Sequence, residues 1–431
     1  MSSSATTLTP QQRELWPTAR ALAATPLFIS TVVFRLTGPV HRTALAAAVR
    51  RLTLRHDLLR AVFVDGPVPT TRPGDPTVLR VVEVSDPGAE PPAEIVRGIA
   101  RSPFRLGVEP LFRVTLVRYA EDDHLLVLSC HQLVVDGYGQ GLMLHELASL
   151  YRAEVTREPH DLPEIRQTYP ETAHLLRDPD PKVQGEDREF WTSRLADLPT
   201  MILPADRSKP AETTLAPTGT VETTMPDPDG GVPAGLRRLR VSPFALFAAA
   251  TMAMLHRRTG QTDLWVATVV DNRLTPESRA HVGPLASPSI VRVRFAADAT
   301  FGELARAVQR EAWATMERQS LPFKDVIAAA AANGADMHNL ARVGVSVAAP
   351  LRLPDWPLAD VELLEIDPLE GEPTGGSSLG LLVEEQAGGY RLRLEFDLSL
   401  FSVDRARDTV TAVAAAATAA TADPTTTLSS W

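Results

Sequence analysis

Residues 128–139 read LSCHQLVVDGYG. His131 can carry or hold a proton, and Asp136-Gly137 follows it five residues later as a turn. The apolar run that ends at His131 has the look of a strand delivering polar side chains to a turn, which places chemistry on a rigid element. Between the two stands Gln132, whose amide donates and accepts hydrogen bonds but takes no proton at neutral pH. Such a group orients a nucleophile; it does not deprotonate one.

The other polar groups nearby carry less chemistry. Strand alternation points Cys130 to the side opposite His131, so it reads as a buried, inert thiol. Tyr138 reads as a packing aromatic before an oxyanion donor, and His145 as a surface residue of the next helix. The ten histidines show neither HxxxH nor HExxH spacing, so no metal site is expected. No phosphate-cradling glycine loop and no Gly-x-Ser-x-Gly elbow occurs. Gly375-Gly376-Ser377-Ser378 precedes a strand and reads as a plain loop.

Around the motif the first half is mixed α and β. Strands are expected at 27–36, 61–64, 78–84 and 112–118, and helices at 43–59 and 141–151. A polar, proline-rich stretch from 155 to 190 places a domain junction near 175, giving domains 1–175 and 176–431. A second proline-, glycine- and threonine-rich stretch, 203–233, reads as a long excursion rather than a domain. Beyond it, helices are expected at 243–257, 301–319 and from 403. Strands are expected at 264–270, 289–295, 341–348, 379–384 and 391–398.

The totals agree with two domains. The chain has 431 residues, 44% hydrophobic and 22% charged, with a net charge of −10. That balance, with no block of Lys or Arg, argues against nucleic acid as a partner. A single cysteine excludes an internal disulfide and fits a reducing compartment. No leader pattern and no apolar run near 20 residues is visible, so a soluble, cytoplasmic protein without a membrane partner is expected.

Seven segments in order resemble the condensation domains of nonribosomal peptide synthetases, relatives of chloramphenicol acetyltransferase. LTPQQRELW (8–16), RHDLLRAVF (55–63) and HQLVVDG (131–137) are similar to the family's first three motifs, the third being His-His-x-x-x-Asp-Gly. EFWTSRLADLP with LPADRSKP, then HVGPLASPSIVRVR (281–294), RQSLPFKDVI (318–327) and LRLEFDLSLFS (392–402) resemble later ones. The resemblance implies an α/β fold of two chloramphenicol-acetyltransferase-like lobes in a V with a central tunnel. It also implies a monomer, free-standing or excised from a larger synthetase, with no bound cofactor. Its substrates would ride on the phosphopantetheine arms of acyl or peptidyl carrier proteins and meet an amine acceptor.

The same resemblance assigns roles. Gln132 occupies the place of the second His, which positions the attacking amine or hydroxyl. His131 takes the first, mainly structural, His, and Asp136 the loop-supporting Asp, whose arginine partner is Arg273 or Arg60. Gly137 would offer its N–H to a carbonyl. Gly139 stands where Ser or Thr is frequent, and Ser287-Pro288 where the family has Asn-Thr beside the tunnel. The departures gather at the centre while the second motif is well kept, the pattern of a changed task on a retained fold. Two outcomes fit. One is an atypical acyltransferase for which amide formation is easier than ester formation. The other is a non-catalytic module that recruits a tailoring enzyme.

Overall fold

The computed structural model describes residues 6–66, 68, 70–84, 92–175, 180–208, 217–227, 230–318, 321–332, 342–348, 356–364, 377–386 and 388–431. These form two compact units. Unit 1 comprises Met1–Asp178, Asp271–Ala286 and Leu351–Glu370; unit 2 comprises Pro179–Val270, Ser287–Pro350 and Gly371–Trp431. The single break expected at 175 therefore omits two returns of the chain into unit 1.

Unit 1 is built on a five-stranded sheet in the order Asp360–Leu363, Ile29–Thr37, Asp123–His131, Phe112–Arg118, Arg80–Glu83. Neighbours run antiparallel except the last pair. Asp123–His131, the motif strand, is central and buried on both faces. Leu126, Leu128 and Cys130 enter the core formed with Arg42–Arg55 and Gly137–Thr156, through Leu45, Val49, Leu52, Leu144 and Leu147. Leu125 and Val127 face the other way, with Val33, Val117 and Val96 of helix Pro92–Ala100. Burial on both faces explains a continuous apolar run where a half-exposed strand would alternate.

The motif helix, Gly137–Thr156, begins four residues earlier than its periodicity suggested, because Asp136 caps it. Helix 43–59 ends at Arg55 and continues as a 3₁₀ turn, Asp57–Arg60. The edge strand Asp360–Leu363 comes from the third stretch of unit 1 and pairs Leu363 with Phe34. At four residues it left no periodic signal.

Unit 2 has a six-stranded sheet: Ser287–Arg294, Asp263–Val270, Val343–Ala348, Leu379–Gln386, Gly389–Asp397, Thr218–Pro226. Helices Pro243–Thr259, Phe301–Met316 and Val403–Ala422 pack with it in one core. The first is apolar all round and almost wholly buried, which fits a core helix. The 203–233 stretch is no domain of its own but contributes elements to unit 2. Thr218–Pro226 is a nine-residue strand paired along its length with Gly389–Asp397, and a helix begins at Gly231. Its threonines alternate with Val221 and Met225 inward, a pattern masked by composition. Residues 209–216 and Gly375-Gly376 lie outside the described set. Among the described residues no single helix is long and apolar enough to cross a membrane.

The segment Asp271–Ala286 docks against unit 1 through a close backbone approach. A Cβ on Gly283 would fall 2.1 Å from the Tyr169 ring, whose hydroxyl donates to the Pro284 carbonyl. Gly283→Ala should therefore lower unfolding stability by about 1–3 kcal/mol, the usual cost of overpacking. Urea titration of the variant against wild type checks it; an unchanged midpoint would show that Tyr169 yields freely.

Candidate functional site

The turn after the motif strand is fixed by its own residues. His131 is 5% exposed, its ring stacked on Phe28 at 5.8 Å and edge-on to Phe104 at 6.4 Å. Burial pushes its pKa down to about 4, so it stays neutral and its Nδ1 accepts the Leu133 N–H at 3.1 Å. Gln132 donates its backbone N–H to the Phe28 carbonyl at 2.8 Å. Its side chain is exposed and makes no hydrogen bond to a described residue. The amide is thus presented to whatever approaches.

Asp136 closes the turn. Its Oδ1 caps the motif helix by accepting the Gly139 N–H at 2.8 Å and meets Arg273 Nη2 at 2.9 Å. Its Oδ2 accepts Arg273 Nη1 at 2.8 Å and the N–H groups of Leu285 and Ala286 at 3.0 and 2.9 Å. The arginine side chain is fully buried, and its two Nη groups also reach the carbonyls of Asp271, His281 and Gly283, while Nε has no partner among the described residues. Tyr138 lays its ring 4.4 Å from the guanidinium carbon and donates its hydroxyl to the Arg279 carbonyl. That makes it a half-exposed packing aromatic.

Of the two arginines considered, Arg273 is the partner of Asp136. Arg60 lies in the 3₁₀ turn instead, where its charge acts on Asp57. A Cβ on Gly137 would meet no protein atom within 4 Å, so the space in front of its N–H is open. At Gly139 a Cβ would sit 3.1 Å from Asp136 Oδ1 and 3.2 Å from the Gly283 nitrogen. The close approach is at 139, and the Ser or Thr frequent there would crowd the docked segment. With Gly139 engaged by Asp136, the N–H groups of Gly137 and Tyr138 at the helix start have no partner among the described residues.

Cys130 is buried with its Sγ 3.9 Å from Met143 Sδ, and burial pushes the thiol up, away from reactivity. His145 is exposed on the motif helix. Ser287 and Pro288 open a strand of unit 2, and Pro288 lines a cavity of about 380 Å³ there with Ala267, Val269, Gly344, Gly380 and Leu382. Among the described residues no cluster of His, Cys, Asp or Glu is arranged to hold a metal.

Several contributors escaped the sequence reading although they lie in its motifs. Gln11 and Gln12 are buried and reach the carbonyls of Leu285 and Leu133. His56, in the second motif, meets Glu146 of the motif helix at 2.6 Å, with Arg55 at 2.9 Å. Burial alone would raise the Glu146 carboxyl, but the bonds from His56 and Arg55 outweigh it and hold it below the usual range. His281 beside Tyr169 is pushed down to about 4 by burial and by the nearby His56 and Arg273 charges.

The condensation-domain family profile matches residues 2–431. This chain belongs to that family. Among its relatives is the phosphinothricin tripeptide synthetase PhsC of Streptomyces viridochromogenes, 30% identical over 344 residues, which are 76% of this chain and 31% of that protein. The chain spans about a third or less of the curated relatives it matches. The X-domain from teicoplanin biosynthesis superposes with a TM-score of 0.82 at 22% identity, covering 100% of this chain and 98% of that one. The same X-domain in complex with OxyB gives 0.81 at 22% identity, covering 100% and 96%. The α/β, chloramphenicol-acetyltransferase-like class that the motifs implied is the fold of this condensation domain, which is of the nonribosomal-peptide type.

Two outcomes are expected from this geometry. Arg273→Met should cost about 3–5 kcal/mol, because it strands a carboxylate with its backbone donors, whereas Arg60→Met should cost far less. Denaturant titration of both variants decides it. Acid should also act through His131. Its folded pKa of about 4 lies below the ordinary 6.5, so protons bind the unfolded chain more readily. Stability should be complete above pH 6.5 and fall as pH drops toward 4. His131→Asn keeps an acceptor for Leu133 and should flatten part of that slope, measured as unfolding midpoint against pH.

Proposed function

We propose that this condensation domain is an atypical acyltransferase of the cytoplasm that joins a thioester-bound acyl group to an amine. Both substrates would be presented on the phosphopantetheine arms of acyl or peptidyl carrier proteins. The observation that carries the reading is the exposed, unbonded amide of Gln132, on a turn whose backbone is tied on every side. A site that had given up chemistry would have no need of so fixed a frame around one free side chain.

The amine lone pair attacks the thioester carbonyl, forming the C–N bond. The tetrahedral oxyanion then collapses with loss of the thiolate, and the ammonium proton leaves to the thiolate or to water. Gln132 Oε1 accepts an N–H of the incoming amine and so aims its lone pair. The unpaired Gly137 N–H at the helix start is the donor offered to the oxyanion. His131 and Asp136 take no proton; they hold the turn. General-base help is worth about 10²–10⁴-fold and Gln132 cannot supply it. Orientation is worth more, about 7–11 kcal/mol in favourable cases. An amine needs little base before the tetrahedral stage, whereas an alcohol needs it throughout.

A second reading rests on the same residue and on a neighbour. Position 132 lacks the family's histidine, and the structurally similar teicoplanin X-domain forms a complex with OxyB. The chain would then dock a tailoring enzyme without transferring anything itself.

Intact-protein mass spectrometry on acyl-loaded carrier proteins, with panels of amines and alcohols, separates the two. Wild type should transfer to amines faster than to alcohols, and Gln132→Ala should lose most of that rate. Should wild type and Gln132→Ala both be inert while Gln132→His gains transfer, recruitment replaces catalysis as the function.

A further inference from the structure

Gln11 and Gln12 stand side by side at the start of helix Pro10–Ala21, 5% and 2% exposed. An amide buried this deeply is costly unless its hydrogen bonds are made, and methionine would fill the same space without that cost. Their bonds reach far along the chain. Gln12 Nε2 donates to the Leu133 carbonyl at 3.0 Å, while its Oε1 accepts the Thr9 N–H of the helix cap, also at 3.0 Å. Gln11 Nε2 donates to the Leu285 carbonyl at 3.2 Å, while its Oε1 has no partner among the described residues, so only half of this amide is satisfied.

Those two carbonyls are the ones that matter to the site. Three consecutive peptide units around Gln132 are pinned. Its own N–H goes to Phe28, the Leu133 N–H goes to the neutral His131 ring, and the Leu133 carbonyl is held by Gln12. With the planes on both sides of its Cα fixed, Gln132 keeps only side-chain torsions free. On the other side, the Leu285 N–H goes to Asp136 while its carbonyl takes Gln11 and Asn272.

We propose that Gln12 is a positioning residue for Gln132, acting through Leu133, and that Gln11 does the same for the 285–286 backbone bound to Asp136. On this view the first motif aims the amide of the third. The inference rests on the reading that Gln132 receives the nucleophile, but the clamp itself can be tested without turnover.

Gln12→Met keeps volume and removes the donor to Leu133. Because it also loses the acceptor for Thr9, Thr9→Ala serves as the control that loosens the same cap and leaves Leu133 untouched. Hydrogen exchange by mass spectrometry should show the 132–134 amides exchanging roughly tenfold faster in Gln12→Met, the size of one lost hydrogen bond, and unchanged in Thr9→Ala. In the transfer assay kcat should fall by about the same factor with KM unchanged, and the loss should vanish in a Gln132→Ala background. Faster exchange spread evenly over unit 1, or equal in Thr9→Ala, would overturn the proposal, as would losses that simply multiply in the double variant. If wild type transfers nothing, the acyltransferase reading falls and the exchange result alone decides the clamp.

Discussion

The ion pair between Asp136 and Arg273 is the constraint from which the rest of the site follows. A buried pair of this kind gains little net stability, because desolvating two charges offsets their attraction. What it supplies is a unique geometry. One carboxylate caps the motif helix, receives a bidentate guanidinium and gathers two backbone N–H groups from the docked segment. The arginine in turn satisfies three carbonyls of its own segment. Each segment supplies the partners of the other's buried polar groups, so the turn bearing Gln132 and the 271–286 segment are specified together.

Around that pair the polar groups divide cleanly between holding and presenting. His131, Gln11, Gln12 and Asn272 are buried and their bonds run to backbone, while buried Glu146 is held by the His56 and Arg55 side chains. Gln132 alone in the turn points outward without a partner among the described residues. Such a division suits a reaction driven by orientation, in which the protein contributes fixed dipoles and a shaped surface and no titrating base.

Much of this was legible in the sequence, and the failures have physical causes. The motif strand was readable because burial on both faces leaves an unbroken apolar run. Arg273 could be shortlisted but not separated from Arg60, since sequence carries no distance between residues 137 positions apart. The tight packing of Gly139 against Gly283 was not legible, because spacing does not say which helical glycine faces a neighbour. Strand Thr218–Pro226 hid within a threonine- and proline-rich composition, and Asp360–Leu363 was too short for any period to emerge. The glutamines of the first motif drew no separate reading, for only tertiary contact reveals them as buried.

The two returns of the chain into unit 1 also bear on biosynthesis. On the ribosome, residues 1–178 emerge carrying a carboxylate without its arginine and a sheet whose first strand lacks its neighbour. Arg273 arrives only after three helices and two strands of unit 2 have been synthesised, and Asp360–Leu363 later still. Closure of unit 1 is therefore a late event in synthesis, governed by contacts of long sequence separation. For anyone grafting condensation domains between assembly lines, the halves are not interchangeable parts: a splice at the obvious linker would take Asp136 from one parent and the arginine that fits it from another.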